Sequence, residues 1–226
     1  MKQINILVFA TLILTTLSAA AQPSIGFEVG AGLRLSVLSK EQNDFFDSKG
    51  RLAFSFGATA LVPLGGQRLV LQPTVRYIQK GSKLVVEKNL DFPSGSYFTD
   101  NLNYLEINPL LQWRFSEEGR GFYLLGGPML GVGLSGKYNY NIRDVEKETG
   151  NLDFGTGEND DRRLIDVGVI LGIGYFKYNE DTNRTFFVSL QSGLGLTDLG
   201  TDYNILDEKN LNFMFNFGYT FPLFSH

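Results

Sequence analysis

From Ile25 to the end of the chain, large apolar residues alternate with small or polar ones at a period of two, and no stretch carries an apolar stripe at helical spacing. That period commits the chain to strands. Phe213, Phe215, Phe217, Tyr219, Phe221 and Leu223 stand opposite Asn212, Met214, Asn216, Gly218 and Thr220. Ile165, Val167, Val169, Leu171, Ile173 and Tyr175 oppose Asp166, Gly168, Gly172 and Gly174, and Leu105, Ile107, Pro109, Leu111, Trp113 and Phe115 oppose Tyr104, Glu106, Asn108, Gln112 and Arg114. Eight strands are predicted, over 25–38, 50–64, 68–87, 102–115, 121–137, 162–178, 184–198 and 210–224.

Alternation alone fits a soluble sandwich with a dry core as well as a membrane barrel with a lipid-facing outside. The connections separate the two. Those at 39–49, 88–101, 138–161 and 199–209 are long, and those at 65–67, 116–120 and 179–183 are short. Short turns on one side with both chain ends, and long loops on the other, are the outer-membrane arrangement, which requires an even strand count. An open sheet in hydrocarbon would leave edge amides and carbonyls unpaired, so the strands must close. The expected fold is therefore all-β, an eight-stranded antiparallel up-and-down transmembrane β-barrel. Trp113, Phe115, Phe122, Tyr123, Tyr175, Phe176, Tyr178, Phe186, Phe187, Tyr219, Phe221 and Phe224 fall near the short turns and read as an interfacial girdle.

Residues 1–21 have the pattern of a cleaved signal peptide: basic Lys2, an apolar run from Ile4 to Leu17, then Ala19, Ala20 and Ala21. The barrel domain would then occupy 22–226. With no cysteine, a lipid-modified leader is not expected and a disulfide framework is excluded. After Ala21 no apolar run reaches the roughly 18–20 residues that a membrane helix needs. Without Lys2 the balance is 19 basic against 24 acidic residues, net −5, with no basic stripe, so nucleic acid is not an expected partner.

If the polar face points inward, Glu28, Arg34, Arg76, Glu106, Arg114 and Asp166 lie in the lumen among many glycines, including Gly57, Gly131, Gly168 and Gly174. A barrel of eight strands is only wide enough for its own side chains, and inward glycines make room for long charged ones. Enclosed charges must be paired, so Glu28, Glu106 and Asp166 are expected to meet Arg34, Arg76 and Arg114, forming a plug. An ion or proton path along the same residues is the competing reading.

The segments Tyr104-Leu105-Glu106-Ile107-Asn108-Pro109-Leu110-Leu111 and Gly126-Gly127-Pro128-Met129-Leu130-Gly131, with the closing Phe217-Gly218-Tyr219-Thr220-Phe221, resemble the PorT-like outer-membrane β-barrel family of Bacteroidota. The resemblance follows strand order through most of the mature chain and implies an outer-membrane barrel. One member of that family is linked to protein secretion, and fold alone does not transfer that role.

No catalytic or cofactor-binding residue is expected. Ester hydrolysis needs a base beside its nucleophile, and the sole histidine is the terminal His226. With no cysteine and no second histidine, a zinc site has no ligand set. Residues 141–161 carry seven acids against two bases, and Asp153, Glu158, Asp160 and Asp161 are candidate calcium ligands. Their spacing is not that of an EF-hand, and a solvated acidic loop is the favoured reading. The expected role is a non-enzymatic outer membrane protein in contact with membrane lipid, meeting any extracellular or envelope protein partner through loops 88–101 and 138–161. An accessory part of a secretion or envelope-assembly complex and a soluble ligand-binding sandwich remain as alternatives.

Overall fold

The computed structural model describes residues 23–38, 44–64, 66, 68–87, 93–143, 145–155, 160–199 and 208–223. The expected leader, Glu158, Phe224 and His226 lie outside them. The described chain forms β1 (Ser24–Leu38), β2 (Phe46–Lys49), β3 (Arg51–Pro63), β4 (Leu69–Lys80), β5 (Lys83–Val86), β6 (Tyr97–Arg114) and β7 (Arg120–Ile142). It continues through β8 (Glu146–Leu152), β9 (Phe154–Gly155), β10 (Arg162–Arg163), β11 (Ile165–Asn179), β12 (Arg184–Gly195) and β13 (Glu208–Pro222).

The long strands pair antiparallel in the order β6-β4-β3-β1-β13-β12-β11-β7, and β7 pairs back onto β6. The sheet thus closes into an eight-stranded barrel, with first and last strands joined from Ser24 opposite Pro222 to Leu38 opposite Glu208. Closure leaves no barrel edge to satisfy in hydrocarbon.

Following directly paired residues once around the wall gives the stagger. The row runs Asp166, Gly131, Glu106, Arg76, Gly57, Glu28, Gly218, Phe187 and returns to β11 at Phe176. One circuit therefore climbs ten residues of β11, from Phe176 to Asp166. With eight strands, that climb corresponds to a strand tilt on the order of 40°.

Outward-facing side chains are large and apolar. Leu52 is 68% exposed, Leu171 66% and Phe56 59%, proportions that suit lipid and not water. The alternating faces of β6, β11 and β13 fall as the sequence reading has them, with Leu105, Ile107, Ile165, Val167, Phe213 and Phe215 outside. The ladder between β6 and β7 is interrupted where Pro109 and Pro128 fall at the same level, because proline has no amide hydrogen to contribute.

Four expectations change. The girdle loses Tyr123, Phe176 and Phe187, which lie inside at 0–2% exposure. Each sits beside another aromatic in sequence, and a strand must send neighbours to opposite faces. Trp113, Phe115, Phe122 and Phe221 remain outside at the short-turn end, with Tyr175 stacked edge-on against Phe122 at 5.3 Å. The lumen is not polar throughout. One apolar cluster holds Leu61, Val70, Leu110, Tyr123, Phe176 and Phe187, and another holds Ala53, Ile78, Leu102, Tyr104, Leu199 and Met214.

The third predicted strand divides into β4 and β5 at Gly81, whose φ of 88° suits glycine. The fourth change concerns the long connections, which are not plain loops. β6 and β7 run for 18 and 23 residues, well past the roughly 9–11 that cross a bilayer. Beyond the barrel β6 pairs with β5, which pairs with β2, and β7 pairs with β8, making a five-stranded sheet, β2-β5-β6-β7-β8.

Inward aromatics depend on glycines directly across the ladder. A Cβ on Gly218 would lie 2.0 Å from the Phe187 ring, and one on Gly174 would lie 2.3 Å from the Tyr123 ring. Gly218→Ala is accordingly expected to destabilise the barrel by about 1–3 kcal/mol, the usual range for overpacking. Urea unfolding of the refolded protein measures this, followed on gels by the heat-dependent shift in migration expected of a closed barrel that resists detergent until boiled; an unchanged midpoint would show that Phe187 moves aside freely.

Candidate functional site

The chain offers two places where polar chemistry concentrates: the lumen, and the outer sheet above it. In the lumen, the paired row alternates charged residues with glycines, so that Gly57 separates Glu28 from Arg76 and Gly131 separates Glu106 from Asp166. Long side chains can then lie along the wall over positions that have none.

Glu28, Arg34, Arg76, Glu106, Arg114 and Asp166 are all buried, between 0% and 8% exposed. Arg76 Nε lies 2.8 Å from Glu106 Oε2, and its Nη1 lies 3.6 Å from Glu28 Oε1 and donates to Gln191 Oε1 at 3.1 Å. The expected pairing is otherwise corrected. Asp166 and the second oxygen of Glu106 are held by Lys80, whose Nζ stands 2.7 Å from each. Lys80 is not among the expected lumen charges, although it shares the inward parity of Arg76 four residues earlier.

Among the described residues, neither Arg34 nor Arg114 is within ion-pair distance of a carboxylate. Arg34 donates to the carbonyl of Lys80 and to Asn101 Oδ1. The Arg114 guanidinium lies 4.1 Å from the centre of the Phe176 ring, and its Nε donates to Gln112 Oε1 at 3.3 Å. Strand rise keeps each from the carboxylate of its own strand, since Arg114 is eight residues from Glu106 and Arg34 six from Glu28, or about 26 and 20 Å at 3.3 Å per residue. Near Arg34, Asp166 is already held by Lys80.

Amides link the ends to the centre. Gln112 donates to Gln72 Oε1, Gln72 to Glu28 Oε2 and Asn108 to Glu106 Oε2, while Asn210 donates to Asp166 Oδ2. Lys80 Nζ is 3.6 Å from Met129 Sδ in one apolar cluster and 4.9 Å from the Tyr104 ring of the other. The charges therefore sit between two apolar layers. Such an interior can hold the barrel in register and seal it.

The outer sheet carries a second cluster. Tyr138 and Tyr140 lie parallel on β7, with 6.1 Å between ring centres, and both hydroxyls donate to the Glu148 carboxylate, at 2.6 and 2.7 Å. Those bonds hold the Glu148 carboxyl below its ordinary value of 4.5, and the same carboxylate pushes the Tyr140 phenol up to about 12. Below them Arg162 is paired with Asp100 and lies 3.6 Å from Glu208. Burial opposes its charge, but the two carboxylates outweigh burial and raise its pKa.

Of the candidate calcium ligands, Asp153 donates its amide to Asp161 Oδ2 at 2.9 Å. Among the described residues, no group of three acids or other ligating side chains is placed to hold a metal.

The model of the outer membrane protein beta-barrel domain family matches residues 20–201. No curated protein matches the chain. Among solved structures, the attachment invasion locus protein of Yersinia pestis is 12% identical, with a TM-score of 0.40 over 88% of this chain and 99% of that one. Neisserial surface protein A is 8% identical, with a TM-score of 0.43 over 88% and 97%. The outer membrane protease OmpT from Escherichia coli is 10% identical, with a TM-score of 0.45 over 91% and 99%.

Removing Lys80 strands two buried carboxylates, whereas removing Arg114 strands none. Lys80→Met is expected to cost roughly 3–5 kcal/mol and Arg114→Met about 1–2 kcal/mol. Equal losses in urea titrations of the two variants would contradict the assigned pairing.

The depressed Glu148 carboxyl gives a pH dependence of definite sign. Its contribution to the β7–β8 pairing is complete above the ordinary carboxylate range and is lost as pH falls through its lowered value. Amide protection factors in β8 should therefore fall as the solution is acidified to below the ordinary carboxylate range, and Glu148→Gln should remove that fall.

Proposed function

The chain belongs to the outer membrane protein β-barrel domain family and resides in the outer membrane, and from that premise we propose that it is a non-enzymatic barrel whose outer sheet engages protein partners. One observation carries this reading. β6 and β7 continue well beyond bilayer height and, with β2, β5 and β8, build a five-stranded sheet from the connections 39–49, 88–101 and 138–161 and the end of the third predicted strand. Ordered structure at that height costs conformational entropy, and a rigid surface repays it when a partner docks there.

The interior supports the same reading. Ion pairs between two apolar layers fill a barrel of this size, which favours a plug over an ion path. The sole histidine of the sequence is its last residue, which favours a non-enzymatic role.

The second reading, an accessory component of a secretion or envelope-assembly complex, is favoured by the outer edge of β8. Its residues 146–149 are exposed, and β7 pairs along its other side. The PorT-like character of Tyr104–Leu111 and Gly126–Gly131 is consistent with such a role. A strand of that length is able to accept an added strand from a partner.

Two measurements test the proposal. Purified protein in a planar bilayer is expected to give no single-channel steps, and steps would replace the plug with a pore. A photo-crosslinker at position 147 on intact cells is expected to capture a defined protein. Replacing 139–151 with a tight turn should abolish capture while keeping the heat-dependent gel shift. Absence of any adduct would end the partner reading, and recovery of a stable multi-protein complex would favour the assembly role.

A further inference from the structure

At the outer end of the barrel interior two guanidiniums stand side by side. Arg34 of β1 and Arg51 of β3 are directly paired residues with the same inward parity. Both donate to one oxygen, Asn101 Oδ1, from Arg34 Nη2 at 2.7 Å and from Arg51 Nη1 at 2.8 Å. The two nitrogens are therefore within 5.5 Å of each other.

Arg34 is 5% exposed. Its other terminal nitrogen donates to the carbonyl of Lys80, and its Nε is buried with no hydrogen-bond partner. Among the described residues, Arg51 makes no side-chain hydrogen bond or ion pair besides the one to Asn101.

The pair also lacks a counter-charge, since among the described residues no carboxylate lies within ion-pair distance of either guanidinium. The acids of the surrounding strands are held by other cations, Asp166 by Lys80 and Asp100 by Arg162. Glu208 accepts from the hydroxyls of Ser36 and Ser82 and lies 3.6 Å from Arg162. A buried cation without a counter-charge is unfavourable, and two such cations side by side repel as well. The single amide oxygen of Asn101 carries only a partial charge and cannot neutralise them.

The corner is reached from outside. The β3–β4 ladder ends at Ser55 opposite Ile78, so residues 51–54 pair with β1 alone, and Arg51 is only partly buried. A cavity of about 200 Å³ beneath the outer sheet borders the same corner at Ser82 and Asp100, next in sequence to Gly81 and Asn101.

Forked N–H donors on a delocalised cation match the paired oxygens of an oxyanion. We infer that Arg34 and Arg51 form a binding site for a small oxyanion, with inorganic phosphate as its simplest occupant. Both side chains point into the barrel and away from lipid, so the ligand is a free anion from solution and not a lipid headgroup. The inference goes beyond protein docking and is tested on purified protein alone, so either reading can fail without the other.

The test is calorimetry of the whole refolded protein in a maltoside detergent, which carries no phosphate, at constant chloride. Inorganic phosphate is the titrant, and saturable heat is expected. Arg51→Gln should weaken binding at least about tenfold, and Arg51→Lys, which keeps the charge and loses the fork, about 3- to 10-fold. Lys137→Gln, on an exposed part of β7, should leave binding unchanged. Phosphate should also raise the temperature of the heat-dependent gel shift of the unaltered protein, because a ligand of the folded state stabilises it, and should not do so for Arg51→Gln. No saturable phosphate heat, an equal loss in Lys137→Gln, undiminished binding in folded Arg51→Gln, or heat only after a phospholipid is added would each overturn the site. Titration of the unaltered protein decides the matter even if a variant fails to fold.

Discussion

Pairing of β7 back onto β6 is the contact on which the rest of the molecule depends, because it turns a sheet with two edges into a closed wall. In hydrocarbon every unpaired amide or carbonyl costs several kcal/mol, so closure is a condition of existence for this chain in a membrane. Closure also fixes the stagger. A ten-residue climb per circuit sets which residues of distant strands reach the same height, and thereby brings Asp166 of β11 to Lys80 of β4.

The interior follows from that geometry. Burying five charged side chains is unfavourable unless each finds a partner, and Glu28, Arg76, Glu106, Lys80 and Asp166 do so through a continuous set of ion pairs. Glycines at the intervening positions let these chains lie flat. Apolar layers on either side exclude water, which strengthens the pairs and raises the cost of breaking any one of them. The arrangement rewards a single register, since a one-residue slip of β4 would turn Arg76 and Lys80 toward lipid.

Outside the membrane the constraints relax, and the chain uses that freedom to build rather than to trail. The outer sheet shares β6 and β7 with the barrel, so its orientation is set by the same closure. Its inner face joins aromatic rings to the Asp100, Arg162 and Glu208 cluster at the mouth, and its far edge is β8. A rigid barrel thus carries an ordered outer surface at a defined height above the lipid.

The period-two pattern was enough to determine eight strands, their apolar outer faces, the alternation of short and long connections and the inward parity of Glu28, Arg34, Arg76, Glu106, Arg114 and Asp166. These are properties of single strands, and a strand's faces are written in its own residues. The adjacent pairs Phe122-Tyr123, Tyr175-Phe176 and Phe186-Phe187 already required one aromatic of each to point inward, and Lys80 shared the parity of Arg76, so both were legible in principle. Which charges meet was not. Arg114 has the right parity and the wrong height, and Arg34 reaches the level of Asp166 where Lys80 already holds that carboxylate; height and order around the wall are properties of the closed, staggered barrel. The outer sheet and its cavity were likewise decided only by the fold, because Glu146–Leu152 carries no apolar alternation and becomes a strand through the partner that closure places beside it, although Tyr138, Tyr140 and Ile142 already alternate with Asn139 and Asn141.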